Sequence, residues 1–345
     1  MNIPYRTRRT MRHFFLGIGV VVLFATLLLV LWFMWLGRYL IYSRDGAKLD
    51  FSLSLDYAQG ELPVQPLPEE TVSIENKIPD ISDEEVSTEL VRFSGYYVTL
   101  TELTENFDVT RDRLLALPAG STVMLELKSR TSYAYYTSMV APIKPNFDTE
   151  KVDALVRALT ERGYYVIAQL PAFLEYYYIL EDQYERGNYG LKQVGSVGLW
   201  LDPSLRCWWM NPASDGTLAY MIQLLSELRG IGFDEVVFSD YRFPDTNQIV
   251  FNGDRMATLS ATAATLVKAC ATDTFCVSFI RPYADLTLPA GRTRLYLTGI
   301  GAANVDAMAE KTGFEDPSIQ LVFLTDLNDT RYDEYCVLRP LADAH

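Results

Sequence analysis

Short apolar runs alternate with amphipathic segments along the chain from about residue 91 onward. Short runs of this kind are typical of strands that are covered on both faces. The pattern predicts eight strands, at residues 94–100, 122–127, 164–170, 197–201, 236–238, 275–280, 293–297 and 319–324. Apolar residues at helical spacing predict helices between them, at residues 111–117, 149–162, 218–229, 256–271 and 305–311.

Eight strands that alternate with helices over about 250 residues predict an α/β fold, a TIM-type (β/α)8 barrel. An open, doubly wound sheet is the alternative architecture. No GxGxxG motif or phosphate-binding loop follows any of the predicted strands, so the sequence gives no sign of a nucleotide site at a strand end.

A long apolar run without charged residues, at residues 14–36, precedes the predicted barrel. At a rise of about 1.5 Å per residue it is long enough to cross a hydrocarbon core of roughly 30 Å. Four arginines precede it and only two follow closely, which predicts a cytoplasmic N-terminus and an extracytoplasmic body. We interpret the run as an uncleaved signal anchor in the lipid bilayer. A cleaved signal peptide is the alternative, although no small-x-small cleavage site follows.

The segment after this run differs in composition from the rest of the chain. Residues 61–89 contain four prolines, nine acidic residues and one lysine, which predicts an extended, self-repelling spacer. The predicted organisation is therefore a cytoplasmic basic segment at residues 1–13, the anchor at 14–36, an extracytoplasmic linker at 37–90 and the barrel domain at 91–345.

Charge and histidine content narrow the possible functions. The net charge is −14, and residues 1–44 carry six arginines and no acid, which leaves −20 on the other 301 residues. The strong negative charge of residues 45–345 predicts that the protein does not bind nucleic acid. The histidines are His13 and His345, at the two ends of the chain, which excludes Ser-His-Asp and Cys-His catalysis and the common histidine zinc sites. We expect no metal or cofactor, and the remaining chemistry is that of carboxylates.

Four cysteines lie in the predicted extracytoplasmic body: Cys207, Cys270, Cys276 and Cys336. Disulfides are permitted there, and the spacing fits no metal motif. A Cys270–Cys276 bridge and buried free thiols both remain possible from the sequence.

Polar residues follow several of the predicted strands. The carboxyl ends of parallel strands are where α/β barrels place binding and catalytic groups. The candidates are Glu126 and Lys128 after the second strand, Gln169 and Glu175 after the third, Asp202 after the fourth, and Asp240, Tyr241 and Arg242 after the fifth. Two facing carboxylates are what glycoside hydrolysis requires. The structural alternative is an Asp240–Arg242 ion pair that closes the barrel rim.

Aromatic residues crowd the segments that follow the second, third and fourth predicted strands. They are Tyr133, Tyr135, Tyr136, Tyr176, Tyr177, Tyr178, Trp208 and Trp209. Flat rings with polar edges suit stacking on sugar faces, and they equally suit covering a core under long loops.

The stretch at residues 232–244, GFDEVVFSDYRFP, resembles the GFDE-(apolar)-FDY-(apolar)-RFP signature of a family of bacterial TIM-barrel proteins classed as putative glycoside hydrolases. Four earlier blocks are similar to the family's in the same order. GYYVT at 95–99 resembles G-(apolar)-Y-V-T, MLELK at 124–128 resembles V-I-D-V-K, VIAQL at 166–170 resembles V-I-A-R-(apolar), and WLDP at 200–203 resembles W-(any)-D-P.

The resemblance implies a TIM-type barrel and a carboxylate pair. Asp240 and Glu126 form the predicted pair, Asp202 is a reserve carboxylate, and Lys128 and Arg242 orient hydroxyls. The other predicted substrate contacts are Tyr241, Gln169, Glu175, Trp200 and Trp208.

Two positions depart from the family pattern near the predicted site. Ser239 stands where the family has its aspartate, with Asp240 one residue later, and Gln169 replaces an arginine. A shift of one residue turns a side chain to the other face of a strand, so we expect a bulge at Ser239 that re-aims Asp240 into the cleft.

Two functional hypotheses follow. The first is a membrane-anchored, extracytoplasmic glycoside hydrolase that acts on a cell-envelope or environmental glycan. The second is a catalytically degenerate barrel that binds a glycan or a protein partner at the cell surface.

Overall fold

The computed structural model describes residue 26, residues 40–43 and 46–49, and residues 90–341. The predicted anchor at 14–36, apart from Thr26, and the predicted spacer at 61–89 lie outside the described residues. Within the described ranges, no helix combines the length and the apolar character needed to cross a membrane.

The strands of the described residues are, in chain order, β1 Leu40–Ser43, β2 Gly46–Leu49, β3 Ser94–Val98, β4 Thr122–Glu126, β5 Tyr165–Pro171, β6 Leu174–Glu175, β7 Lys192–Gln193, β8 Trp208–Trp209, β9 Glu235–Ser239, β10 Ile249–Val250, β11 Cys276–Arg281, β12 Leu295–Thr298, β13 Leu321–Leu324 and β14 Cys336–Pro340. The α-helices are α1 Leu100–Glu105, α2 Phe107–Ala116, α3 Glu150–Glu161, α4 Tyr177–Glu181, α5 Asp215–Ile231, α6 Arg255–Cys270, α7 Val305–Thr312 and α8 Pro317–Gln320. Short 3-10 turns occupy Arg186–Tyr189, Ala302–Asn304 and Thr330–Glu334.

Strands β1 and β2 form an antiparallel hairpin by themselves, with Leu40 opposite Leu49 and Ser43 opposite Gly46. The hairpin falls in the segment 37–90, where the sequence predicts a linker. The hairpin and the residues from 90 onward belong to two different units of the chain.

Eight parallel strands close into a barrel in the order β3, β4, β5, β9, β11, β12, β13 and β14. Closure is made by β14 and β3, where Leu338 lies opposite Gly95 and Pro340 opposite Tyr97. This confirms the predicted parallel barrel, and the open sheet is wrong. The five predicted helices are confirmed as α2, α3, α5, α6 and α7. Between β11 and β12 the described chain contains no helix.

One strand prediction is wrong and one strand is missed. Residues 197–201 do not enter the barrel, and β9 is its fourth strand. They lie in the long β5–α5 connection (residues 172–214), where Leu199 and Leu201 make isolated antiparallel bridges to Lys192 and Trp208. Val197 lies in the turn between Gln193 and Leu199 and is 96% exposed. The eighth barrel strand is β14, which the pattern of apolar runs does not predict.

The barrel separates two groups of apolar side chains. Met124, Ile167, Val237, Tyr296, Val322 and Leu338 pack together in its interior. Their strand neighbours, among them Leu125, Ala168, Phe238 and Leu297, face outward into the larger core under the helices. Because side chains alternate along a strand, Glu126, Gln169 and Ser239 have the inward direction at the carboxyl end of the barrel.

All four cysteines are free and buried. The Cys270–Cys276 bridge left open by the sequence is therefore not formed. Burial raises the pKa of the Cys207 thiol to about 12 and that of Cys270 to about 11. Thiols held in the protonated form are poor nucleophiles.

A buried ion pair lies at the amino end of the barrel. The Glu235 carboxylate, at the start of β9, accepts hydrogen bonds from Arg294 Nη1 at 2.6 Å, from Tyr165 Oη at 2.9 Å and from Tyr296 Oη at 2.9 Å. Arg294 also donates to the carbonyls of Ile319 at 3.0 Å and Val91 at 3.1 Å. Both charged side chains are almost fully buried, so the pair and its hydrogen bonds close this end of the barrel.

We expect Glu235→Ala to lower the free energy of unfolding by about 3–5 kcal/mol, because it leaves the Arg294 charge buried without its partner. Urea denaturation of the purified chain measures this. Glu161→Ala, at the exposed end of α3, is the control. Joint replacement by Glu235→Leu and Arg294→Met should recover most of the loss. An equal cost for Glu235→Ala and Glu161→Ala would contradict the assignment.

Candidate functional site

The turn after β9 places Asp240. Ser239 keeps the regular register opposite Pro171, so the expected bulge is not formed. Asp240 instead adopts a left-handed backbone conformation, with φ at 50°. Aspartate is one of the few residues that tolerate this region. Arg242 N donates to the Asp240 carbonyl at 2.8 Å, which tightens the turn.

The Asp240 carboxylate pairs with an arginine that sequence reasoning missed. Its Oδ2 lies 3.3 Å from Arg130 Nε, and the side chains are 13% and 62% exposed. Arg130 comes two residues after Lys128, in the loop that follows β4, so Asp240 faces the carboxyl end of the barrel. The only sequence signal for Arg130 is its position after a barrel strand.

The Asp240–Arg242 ion pair, the structural alternative from the sequence, is not formed within the described residues. The Arg242 guanidinium carbon instead lies 5.0 Å from the centre of the Trp209 ring, a cation–π geometry. Its Nη1 reaches the Phe243 carbonyl at 3.5 Å. Arg242 is half-buried and lies near the residues of the β5–α5 connection.

Tyr241 is a core residue and not a surface one. It is fully buried, its hydroxyl donates to the Leu259 carbonyl at 2.8 Å, and its ring centre lies 4.4 Å from that of Phe279. Arg281 Nη1 donates to the Tyr241 carbonyl at 2.6 Å, while a second nitrogen of Arg281 pairs with Asp285 at 2.6 Å. The predicted substrate contact by Tyr241 is not supported by this burial. Tyr241 and Arg281 hold the turn that carries Asp240.

Glu126 ends β4 with its side chain half-buried. Its Oε2 accepts a hydrogen bond from Leu100 N, the first residue of α1, at 2.9 Å. No hydrogen bond joins its Oε1 to any part of the chain that the structure describes. Gln169 lies opposite Glu126 on the neighbouring strand and is also half-buried.

Lys128 and Glu175 form a buried ion pair, and both side chains are inaccessible to solvent. Tyr220, on α5, donates to Glu175 Oε1 at 2.9 Å. Burial, with Glu175 nearby, raises the pKa of the Tyr220 hydroxyl well above its usual value. Glu175 Oε2 has no hydrogen-bond partner within the described ranges. The predicted substrate contacts by Lys128 and Glu175 are not supported, since these groups lie under the helix layer.

Asp202 does not follow a barrel strand, because residues 197–201 lie outside the barrel. Its Oδ1 accepts from Ser204 N at 2.9 Å, Ser204 Oγ at 2.7 Å and Leu205 N at 3.0 Å, and its Oδ2 accepts from Trp209 Nε1 at 3.0 Å. Burial acts to raise the pKa of Asp202, but the hydrogen bonds outweigh it and the net pKa lies below the usual value. Asp202 therefore fixes a turn and is poorly suited to donate a proton.

The predicted aromatic contacts divide into two groups. Tyr136, Tyr178, Trp200 and Trp209 are buried. Tyr133, Tyr135, Tyr176, Tyr177 and Trp208 are half-buried. All of these except Tyr135 form a row of rings. The ring centres are 4.0 Å apart for Tyr133 and Tyr177, 5.0 Å for Tyr176 and Tyr177, and 5.0 Å for Tyr176 and Trp208. Hydrogen bonds from Tyr176 N to Ser132 Oγ and from Tyr177 N to the Thr131 carbonyl attach the row to the loop of Arg130.

A pocket of about 330 Å³ opens at the carboxyl end of the barrel. Its lining residues are Tyr97, Gly299, Ile300, Gly301, Leu324, Thr325, Asp326 and Leu327. The sequence analysis identified no site residue in this pocket. The missed signal is Asp326, a carboxylate two residues after the end of β13.

We expect Asp202→Asn to lower the free energy of unfolding by about 1–3 kcal/mol at pH 7, because a buried hydrogen-bonded anion is lost. The pKa of Asp202 is lower in the folded state than in the unfolded state, so the Asp202 carboxylate stabilises the fold above pH 3.8, its ordinary pKa. This stabilisation disappears as the pH falls through the folded-state pKa. Urea denaturation at neutral and at acid pH measures both. Asp148→Asn, at an exposed position, is the control. An equal cost of Asp202→Asn at both pH values would contradict this account.

The chain was compared with curated proteins, with solved structures and with models of protein families. No curated protein matches the chain. A hypothetical protein from Ruminiclostridium thermocellum matches with 18% identity and a TM-score of 0.44, covering 53% of this chain and 96% of that one. The glycoside hydrolase domain of PelA from Pseudomonas aeruginosa matches with 14% identity and a TM-score of 0.44, covering 74% and 97%. A family 20 exo-β-N-acetylglucosaminidase from Vibrio harveyi matches with 8% identity and a TM-score of 0.45, covering 68% and 41%.

A sequence-family model described as "Putative glycosyl hydrolase domain" matches residues 96–272. The match begins within β3, covers β4, β5 and β9, and includes Glu126, Arg130 and Asp240. Since the matched segment is more than half of the chain, the protein belongs to the family that this model describes.

Proposed function

We propose that the barrel hydrolyses glycosidic bonds at a site formed by the carboxyl ends of β4 and β9. The observation that carries the proposal is the left-handed turn at Asp240, which holds a carboxylate at the barrel rim beside Arg130 in spite of its displacement by one residue. Backbone conformations of this kind are costly and are concentrated at functional sites. Membership of the glycosyl hydrolase family supports the same reaction.

Asp240 and Glu126 are the proposed carboxylate pair. Their strands are separated by β5 alone, so the backbones are roughly 10 Å apart at a strand spacing of about 4.8 Å. Side chains that reach toward each other from this distance suit the separation of about 5–10 Å found in glycosidases.

The surroundings of each carboxylate suggest its role. Asp240 forms an ion pair with Arg130, so we assign it the role of nucleophile or base. Glu126 Oε2 accepts a backbone hydrogen bond, and its Oε1 would carry the proton for the leaving oxygen. Gln169, Arg242 and Trp208 are half-buried near this end of the barrel, and they remain proposed substrate contacts.

We also propose that the chain acts at the cell surface, on a cell-envelope or environmental glycan. The support is the apolar run at residues 14–36 and its arginine asymmetry, which favours a cytoplasmic N-terminus and an extracytoplasmic barrel.

A catalytically degenerate barrel that binds a glycan or a protein partner is the second candidate function. Ser239 has the inward direction at the end of β9, where the resembled family has its aspartate, and Gln169 replaces an arginine. The residues at these two positions favour a barrel that has lost catalytic activity and still binds its ligand.

We expect protease added to intact cells to remove the barrel, because the arginine asymmetry places it outside the membrane. An immunoblot for the barrel before and after lysis measures this, with a cytoplasmic protein as the control. Protection of the barrel in intact cells, with cleavage after lysis, would reverse the proposed topology.

We expect Asp240→Asn to reduce glycan hydrolysis by roughly 10²–10⁴-fold, because it removes the carboxylate from the reaction. The thermal midpoint should change little, since the pair with exposed Arg130 contributes little stability and asparagine also tolerates positive φ. Release of reducing ends from a panel of cell-envelope polysaccharides measures activity. The control is Asp245→Asn, an exposed position on the same loop.

The outcomes distinguish the two candidate functions. Full activity of Asp240→Asn on a glycan that the wild type cleaves would remove Asp240 from the mechanism. Binding of a polysaccharide from the panel without cleavage by the wild type would favour the degenerate barrel.

A further inference from the structure

The pocket of about 330 Å³ lies on a different part of the barrel mouth from Asp240. Gly299 and Gly301 follow β12, and Asp326 follows β13. Tyr97, on β3, completes the lining. In the closed strand order β3 is the neighbour of β4, the strand of Glu126, and β12 is separated from β9, the strand of Asp240, by β11.

We propose that this pocket is a binding subsite for one neutral sugar ring, with the Asp326 carboxylate accepting hydrogen bonds from the sugar hydroxyls. The inference rests on the proposed function, because it identifies the substrate class of the same barrel mouth. It adds a specificity site that lies outside the carboxylate pair.

The size of the pocket fits one ring. Small-molecule sites range over roughly 300–1,000 Å³, and this pocket is at the lower end of that range. An extended oligosaccharide therefore enters with only its terminal ring, and the neighbouring ring lies toward Glu126. The glycosidic bond between the two rings then faces the proposed proton donor.

The chemistry of the lining fits a sugar without charge. Ile300, Leu324 and Leu327 supply apolar surface for the ring faces, and the half-buried Tyr97 supplies an aromatic ring. Asp326 is exposed, so its carboxylate is open to a ligand. Among the described residues that line the pocket, none is cationic. A carboxylate without a nearby cation repels the carboxylate of a uronic acid, so the pocket selects neutral sugars.

Most of the pocket lies outside the segment that matches the family model. All of its lining residues except Tyr97 lie after residue 272, where the family match ends. Glu126, Arg130 and Asp240 lie within the match.

Two variants test the subsite without requiring hydrolysis. Asp326→Ala removes the carboxylate. Gly301→Phe narrows the pocket, and it should fold because a Cβ at Gly301 meets no atom within 4 Å. Asp273→Asn is the control, because this exposed aspartate precedes β11 and lies at the opposite end of the barrel.

The probes are methyl β-glucoside, methyl β-galactoside and N-acetylglucosamine, with glucuronate as the anionic comparison. Saturation-transfer NMR and titration at millimolar concentrations measure their binding to the purified chain. We expect at least one neutral probe to bind, and to bind at least 10-fold more weakly to Asp326→Ala and to Gly301→Phe. Asp273→Asn should bind like the wild type, and circular dichroism checks that each variant is folded.

Three results would overturn the subsite: no binding of any neutral probe to the wild type, unchanged binding to both pocket variants, or glucuronate binding as tightly as the neutral probes. Failure of the proposed reaction gives a different result. A barrel that cleaves no polysaccharide but loses neutral-sugar binding in the two pocket variants would retain the subsite and exclude the hydrolase.

Discussion

The hydrogen-bond register of the closed barrel determines which side chains face its interior. Because β14 pairs with β3, every strand has two neighbours and none is able to slip by one residue without breaking both ladders. Val237 is inward in this register, so Ser239 is inward as well and Asp240 is directed outward by default. The left-handed backbone at Asp240 turns its carboxylate toward Arg130 at the barrel rim in spite of this register.

Two buried ion pairs support the barrel at different places. Glu235 and Arg294 close the amino end from inside, and Lys128 and Glu175 lie under α5, outside the barrel. A buried pair costs desolvation energy and adds stability only when further hydrogen bonds satisfy it. Tyr165 and Tyr296 provide such bonds to Glu235. At the second pair Tyr220 bonds one oxygen of Glu175, and Glu175 Oε2 has no partner among the described residues. The polar groups therefore specify strand and helix positions, while the neighbouring apolar clusters provide the driving force for folding.

The sequence predicts the barrel because its signal is periodic and local. Seven of its strands coincide with short apolar runs, and the resemblance fixes the order of the first blocks. The run at residues 197–201 has the same local signal, but tertiary context places it in a hairpin with one exposed face. Strand β14 escapes prediction because arginine and proline occupy its end, and proline is disfavoured within a sheet.

The candidate site is less predictable, since it depends on partners distant along the chain. Glu175 and Lys128 have the composition of a binding site, but they are 47 residues apart and satisfy each other in the core. Asp202 is satisfied by its own turn. In the sequence Arg130 and Asp326 look like any other charged loop residues. Only the three-dimensional arrangement shows that they lie at the barrel mouth.

The four buried thiols allow local opening of the fold to be measured at four positions. Cys276 begins β11, Cys336 begins β14, Cys270 ends α6, and Cys207 lies in the β5–α5 connection. Burial raises the pKa of each thiol, so an alkylating reagent reacts with one only when the surrounding segment opens. The order in which the four positions become labelled would rank the local stability of four separate parts of the barrel in a single experiment.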